Sequence, residues 1–548
     1  MKYYMGISAL HHDSAVALID SNGNIINISQ EERRTKQKND KAWPKESIKW
    51  SIKDAQRHGH DVSLDNVQFG YYERPFLKLA RRTFNNKQKF VDYFKEAIIP
   101  YKELGSHKVL SHHKSHALAG CATAPFKEGV YLTVDAIGEF NTTTWGRFNQ
   151  DTGIIQDGCI NHPHSLGLLY SSFTRWLGLK PLEDEYIVMG AAAYGEPKYA
   201  KRIFDELIDL NHGREFRLKK NIHRGIEQYF GHEVPVEDWF DWCASIQYVT
   251  ERVMVSLVEM LTKKYGYRLN LVLSGGVALN CLANSQILKE FNIDNFWILP
   301  SPGDSGNALG AAAHVAGLSK LNWVNAFLGD DIDNYSNPTQ TLIRDVVGRL
   351  ERGQIIGWIQ GREEFGPRAL GHRSLICDPR NPKARDKINL IKKRQEFRPF
   401  APAVLQEKAF SYFDMPGKPE WHNYMQLVSR VRNPEALPAI VHVDGTARVQ
   451  TVPKSTDPFR RLLEHWDKST DCAVLLNTSL NIKGQPMISD RRDAINMLLN
   501  DPIDAMVIGN RIYWKETKTG LNEDGSPLDV TNYTDYSSGA DNMIKGRF

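Results

Sequence analysis

Cysteine is scarce, with six thiols in 548 residues and at least 38 positions between neighbours. That spacing excludes a disulfide scaffold and leaves no C-x-x-C pair for zinc or redox exchange. Long apolar runs are missing too, none reaching the roughly 18 residues that a bilayer-spanning helix needs. Nor does one sign of charge dominate: 69 Lys and Arg face 65 Asp and Glu, a net +4, too balanced to mark a nucleic-acid protein. The opening MKYYMGISALHHDSAVALID starts like a secretory leader. His11, His12 and Asp13 interrupt its apolar stretch and no small-residue cleavage site follows, so it reads as a first strand. These absences predict a cytoplasmic chain without membrane segments.

What is present is an α/β pattern. Hydrophobic residues at 41% and charged residues at 24% suit folded domains, and this length predicts about two to four of them. Apolar runs (YYMGISAL, VYLTVDAIG, LNLVLSGG, NFWILPSPGDSGNALGAAAHVAG) alternate with helical patterns over residues 1 to 330. The turn-rich Phe327–Gln340 reads as a linker between domains at 1–335 and 341–548. From Glu516 the chain turns polar and aperiodic, as a surface wrap or a partly disordered tail does. No repeat at solenoid spacing is present.

Five segments before residue 330 carry candidate chemistry. SHHKSHA (Ser111–Ala117) places His112 and His116 four apart, on one face of a helix, as paired imidazole ligands require. A metalloprotease needs Glu directly after the first His, and His113 stands there instead. Asp135 ends an apolar strand, where an isolated carboxylate is costly unless exposed, paired or metal-bound. Asp304 lies in the turn SPGDSGNALGAA, either as a ligand or as a helix cap. Two imidazoles and two carboxylates suit a first-row divalent ion such as Fe(II), and zinc or manganese less specifically. LVLSGGVALN (Leu271–Asn280) sets Ser274, Gly275 and Gly276 between a strand and a helix start, where amides can cradle an anion or glycines can simply permit a tight turn. The histidines of the first turn offer a general base or a hydrogen-bond donor, or are merely exposed.

In the second half, residues 362–398 hold 11 Lys or Arg against 5 Asp or Glu, interleaved with Gly and Pro. This reads as a loop-built anion pocket more than a wet helix face, with Lys392, Lys393, Arg394 and Arg398 just before RPFAP. Asp444, Arg448, Asn477, Ser479 and Asn481 fall at strand ends, where α/β folds collect ligands.

Taken in order, HHDSAVAL, SHHKSHA, VDAIGE, LGLLYSSFT, VMGAAAYGEP, LSGGVALN, PGDSGNALGAA, EFGPRALGHRS, FRPFAPAV, HVDGTARVQTV and LLNTSLN resemble the NodU/CmcH carbamoyltransferase family over nearly the whole chain. The resemblance implies an N-terminal domain of the actin/Hsp70/sugar-kinase fold, in its threonylcarbamoyl-transferase branch, and a C-terminal YrdC-like domain. It implies that carbamoyl phosphate and ATP, with Mg2+, give carbamoyladenylate, whose carbamoyl group passes to an acceptor hydroxyl. By motif, His112, His116, Asp135 and Asp304 resemble the metal ligands, with Fe(II) first among divalent ions. His12 matches a histidine of transfer, and Ser274, Gly275, Gly276 and Asn280 match the nucleotide turn. Lys393, Arg394, Arg398, Arg448, Asn477 and Ser479 match phosphate and adenylate contacts. The acceptor class stays open among small molecules, sugars and hydroxymethylated nucleosides, free or within DNA, and a homodimer is compatible. Two alternatives remain, a threonylcarbamoyl-type enzyme of tRNA modification and a silent ATP-binding regulator. Ile187 replaces a common Lys, and HNYM (His422–Met425) also departs from the family's strings.

Overall fold

The structure, a computed structural model, describes residues 1–210, 215–222, 225–332, 337–521, 527–535 and 542–545. It is mixed α/β and divides into two compact units, Met1–Thr35 with Asn39–Asn325 and Lys36–Lys38 with Ala326–Phe548.

The first unit contains two five-stranded sheets of the same design. One runs Ile25–Gln30, Ala15–Asp20, Tyr3–Ser8, Val67–Tyr71, His107–Val109; the other runs Gly153–Asn161, Asn141–Asn149, Glu128–Gly138, Leu269–Ser274, Ile293–Ile298. Numbered in chain order, each reads 3-2-1-4-5, with the first three strands antiparallel and the last two added in parallel. Tyr3–Ser8 is buried at every position, as expected of a strand covered on both faces. One cover is Asn307–Ala316, an alanine-rich helix closed by Gly317 at φ 71°. It also lies against the helix His112–Thr123 so closely that a Cβ on Gly310 would sit 2.1 Å from the Ser115 carbonyl oxygen. Glycine is thus required where the histidine-bearing helix meets the helix that follows the Asp304 turn.

In the second unit a mixed sheet, nine-stranded among the described residues, runs from Gln450–Val452 through Ala401–Leu405, Val474–Ser479, Arg373–Cys377, Ile356–Ile359 and Ala505–Ile508 to Arg511–Leu521, Pro527–Asp535 and Asn542–Lys545. The helices Gln340–Glu351 and Pro458–Thr470 bury Leu342, Val346, Leu462 and Trp466 in its core, beside Trp358, Leu475 and Val507.

Two expectations change. Phe327–Asp331, read as linker, is a strand paired with Arg362–Glu364 and belongs to the second unit; its apolar start and backbone pairing outweigh its polar composition. Residues 333–336 of that linker lie outside the described residues, as do 522–526, 536–541 and 546–548 of the tail. The described tail backbone is strand, antiparallel to its neighbours. Among the described residues no helix is long and apolar enough to cross a membrane.

Candidate functional site

Three elements of the first unit bring His112, His116, Asp135 and Asp304 together, all buried and with one potential ligand atom from each within 4.8 Å of the others. The helix His112–Thr123 supplies both imidazoles from one face. The strand Glu128–Gly138 supplies Asp135, and the short turn before Asn307–Ala316 supplies Asp304. The helix Asn307–Ala316 has Gly306 at its N-cap and no side-chain cap bond, so the capping reading of Asp304 gives way to the cluster. His112 Nε2 lies 2.9 Å from Asp135 Oδ2 and 3.1 Å from His116 Nε2. His116 Nε2 lies 3.4 Å from Asp135 Oδ2, and both imidazoles lie 3.5 Å from Asp304 Oδ1. Ligands about 2.1 Å from a divalent ion stand about 3.0 Å apart along octahedral edges and about 3.4 Å apart along tetrahedral ones. The donor set and its spacings fit such an ion.

Each carboxylate aims one oxygen at the imidazoles and has the other held from behind. Asp304 Oδ2 is 3.2 Å from His11 Nδ1. Asp135 Oδ1 accepts the Gly276 amide at 3.0 Å. The Gly275 amide donates to the Pro302 carbonyl at 2.9 Å. The amides of Gly275 and Gly276, expected to cradle a nucleotide, are therefore engaged within the protein, and the turn orients a carboxylate. Gly275 has φ 88°, and a Cβ there would fall 2.3 Å from the Val134 carbonyl oxygen. Ser274 Oγ pairs with Thr133 Oγ1 at 2.8 Å. Asn280 caps the helix Cys281–Glu290 by accepting the Ala283 amide.

Burial opposes charge on the imidazoles, but Asp304 and Asp135 outweigh it and raise His112 to about 9; His116 is raised too. Burial likewise favours neutral carboxyls, yet the imidazoles hold Asp135 and Asp304 well below the usual carboxylate range. His113 shares the burial and falls to about 3, pressed further by His112 and His116, with Asp135 offsetting only part of this. His12 lies outside the four-ligand cluster, between Asp13 at 2.8 Å and the Leu182 carbonyl. Against burial, Asp13 and Asp304 raise it to about 10. Residues not anticipated are Asn307, whose Nδ2 is 3.1 Å from His116 Nε2, and Glu139, which accepts the His112 amide at the helix start. Neither has a sequence spacing that ties it to the histidines.

The second unit sorts the basic stretch. Arg362 and Arg373 donate to backbone carbonyls of 328–330 and 360–361, and Arg380 pairs with Asp378. These arginines build structure. Lys393 is also displaced from the expected site: at φ 49° it ends the helix Ala384–Lys392, turns outward and pairs with Asp501, 59% exposed. The preceding Lys392 is buried instead. Its Nζ donates to the Ser479 carbonyl and Oγ at 2.5 and 2.9 Å and to Asn481 Oδ1 at 2.6 Å. Burial drives its pKa well down, and the charges acting on it, Arg394, Arg398 and Lys38, are all positive. The signal was available, since Ala384, Ile388, Ile391 and Lys392 repeat at helical spacing and are all buried. Arg394 stacks on Phe400 and donates to Asn389. Arg398 and Arg448 are half-buried. Asn477 is buried and donates to the Ala369 carbonyl and Gln450.

The carbamoyltransferase N-terminus family model matches residues 3–313, and the carbamoyltransferase C-terminus model matches residues 347–515. An uncharacterized protein of Synechocystis sp. is 36% identical over 96% of this chain and 98% of its own. Nodulation protein NolNO of Sinorhizobium fredii is 30% identical, over 94% of this chain and 81% of its own. The 3'-hydroxymethylcephem-O-carbamoyltransferase of Amycolatopsis lactamdurans is 29% identical, over 74% and 80%. Among solved structures, component A of (R)-2-hydroxyglutaryl-CoA dehydratase from Acidaminococcus fermentans aligns with 58% of this chain and 98% of its own at a TM-score of 0.34 and 13% identity.

Proposed function

This chain belongs to the carbamoyltransferase family and is a carbamoyltransferase; we propose that it is an ATP-dependent O-carbamoyltransferase working in two half-reactions. In the first, carbamoyl phosphate, water and ATP give carbamoyladenylate, phosphate and pyrophosphate. In the second, an acceptor hydroxyl attacks the carbamoyl carbon, and AMP leaves as the new O–C bond forms. The name of the cephem relative, which specifies an O-carbamoyltransferase, supports a hydroxyl acceptor.

The observation that carries the reading is the buried cluster of the first unit, where two imidazoles face two carboxylates and each carboxylate is held from behind. His112, His116, Asp135 and Asp304 would hold a divalent cation, with Fe(II) the first candidate. When bound, such an ion supplies a Lewis acid for the carbonyl and phosphate oxygens of the donor. His11 and the Gly276 amide fix the two carboxylates. His12, 2.8 Å from Asp13, is placed either to donate a hydrogen bond to the transferring group or to take the acceptor's proton. The duplicated 3-2-1-4-5 sheets of this unit support the actin/Hsp70/sugar-kinase reading.

In the second unit, a buried ammonium among cations is costly until an anion joins it. Lys392 with Arg394 and Arg398 therefore suits the phosphates of carbamoyl phosphate and ATP, with Ser479 and Asn481 holding the ammonium in place. The YrdC-like reading of this unit rests on its sequence strings.

The test is incubation with ATP and carbon-13 carbamoyl phosphate, following pyrophosphate release, with mass spectrometry of a panel of hydroxylated acceptors. Pyrophosphate release that requires carbamoyl phosphate, and a labelled carbamoyl ester on an acceptor, are expected. Absence of release with both substrates present would overturn the reading.

A further inference from the structure

Most exposed large apolar side chains of this protein stand singly, as on any folded domain. Between Pro75 and Leu104 they crowd: Phe76, Leu77, Phe84, Phe90, Phe94 and Tyr101 are all exposed, Phe84 at 87%. The segment forms three short helices, Pro75–Asn85, Phe90–Ala97 and Ile99–Leu104. On the first, Phe76, Leu77, Ala80 and Phe84 recur at helical spacing and point outward. The charges point the other way. Lys78 is buried, 2.8 Å from Glu73 and 3.2 Å from Glu96, and half-buried Arg82 lies 2.6 Å from Glu96.

Polarity here is the reverse of that of a helix facing water, with ion pairs inside and aromatics outside. The outward rings also associate. Phe76 and Tyr101 have centroids 5.4 Å apart, and Phe90 and Phe94 stack at 6.0 Å. Arg74, Lys87, Lys89, Lys95 and Lys102 are exposed in or beside these helices. Against these five exposed cations stand two exposed acids, Asp92 and Glu103. The balanced charge of the whole thus conceals one local basic surface.

We propose that this helical face is a docking surface for an anionic lipid bilayer, with the aromatic rings entering the interface and the lysines meeting the headgroups. A partner for it must offer apolar depth and negative charge together, which an anionic membrane surface does. A second copy of the chain fits worse, because a two-fold contact would set the basic face against itself. The inference is independent of the carbamoyl-transfer reading.

The test is cosedimentation of the full chain with phosphatidylcholine vesicles prepared with and without phosphatidylglycerol. Binding should rise ~10-fold with the anionic lipid and fall again at high salt, as a surface charge term requires. Phe84→Ser combined with Phe94→Ser, and separately Lys87→Gln combined with Lys89→Gln, should each reduce it ~10-fold with unchanged far-UV circular dichroism. No preference for anionic vesicles would overturn the proposal. So would a concentration-dependent dimer that the Phe84→Ser, Phe94→Ser variant abolishes.

Discussion

In the first unit, buried imidazoles face buried carboxylates; in the second, a buried lysine has only cations acting on it. His112 is raised to about 9 because Asp304 and Asp135 overcome desolvation, whereas Lys392 is lowered because desolvation and its charged neighbours act together. Opposite charges a few ångströms apart make a site that a cation can enter by displacing protons. Like charges make a site that waits for an anion. The same physical cost, charge away from water, thus separates the centre proposed to take a cation from the one proposed to take phosphate.

Breaking the first centre should have the largest effect. His116→Ala removes one ligand, and Asp304→Asn removes a negative charge from the same cluster. Each should reduce carbamoyl transfer to the acceptor by about 1,000-fold or more, while carbamoyl-phosphate-dependent pyrophosphate release changes less than about threefold. Rapid-quench assay of both half-reactions checks this, and equal loss of the two would show that the units do not divide the work.

The second centre is tested by adjacent lysines. Lys392→Met should lower pyrophosphate release about 100-fold, since it deletes a buried charge where phosphate charge is to be neutralised. Lys393→Ala, at an exposed residue, should stay within about twofold. If Lys393→Ala proves the more damaging, the register of the helix end has been assigned the wrong function.

These two lysines also show where sequence reasoning stops. The i, i+4 histidines, the strand aspartate and Asp304 were readable because ligand chemistry demands those residue types, and regular helix geometry places two of them on one face. The basic stretch was readable only as a composition. One residue decides whether a side chain ends inside the helix or beyond its left-handed terminus, and Lys392 and Lys393 straddle that line. Gly275 and Gly276 were visible as a tight turn, but a glycine pair does not name the acceptor opposite its amides, here Asp135 and Pro302. The repeated 3-2-1-4-5 order was hidden for a further reason. Sheet order is a property of long-range pairing, and the equivalent strands of the two sheets, Tyr3–Ser8 and Glu128–Gly138, share no sequence repeat.

Gly275→Ala sharpens the first centre without touching a ligand. A Cβ 2.3 Å from the Val134 carbonyl oxygen must push the turn away, loosening the Gly276 amide that holds Asp135 Oδ1. Loss of such outer support weakens metal sites by about 10- to 100-fold. Isothermal titration of metal-stripped protein with Fe(II) under anaerobic conditions, or with Zn(II), should show a drop of about tenfold. Unchanged affinity would mean that Asp135 needs no orientation by the turn.

The smallest effect isolates the rule behind the comparison, because the second unit holds an imidazole as buried as His112 but without a carboxylate. His422 is fully buried, its Nε2 is 3.1 Å from the Pro416 carbonyl oxygen as a donor, and Nδ1 has no partner among the described residues. Desolvation lowers it from 6.5 to about 4, the Pro416 hydrogen bond resisting only in part. As pH falls through 6.5 the unfolded chain takes up this proton while the folded chain refuses it. The stabilisation is therefore complete above 6.5 and is lost between 6.5 and about 4. Between pH 7 and 5.5 this single group should cost about 1 kcal/mol. His422→Gln keeps an amide donor for Pro416 and removes the titration. The difference between wild type and variant in urea-unfolding free energy should then shift by that amount over this pH interval, on the transition that reports the second unit. A flat difference would mean that His422 is not desolvated as deeply as its packing implies, and that partners alone do not set the opposite fates of these two histidines.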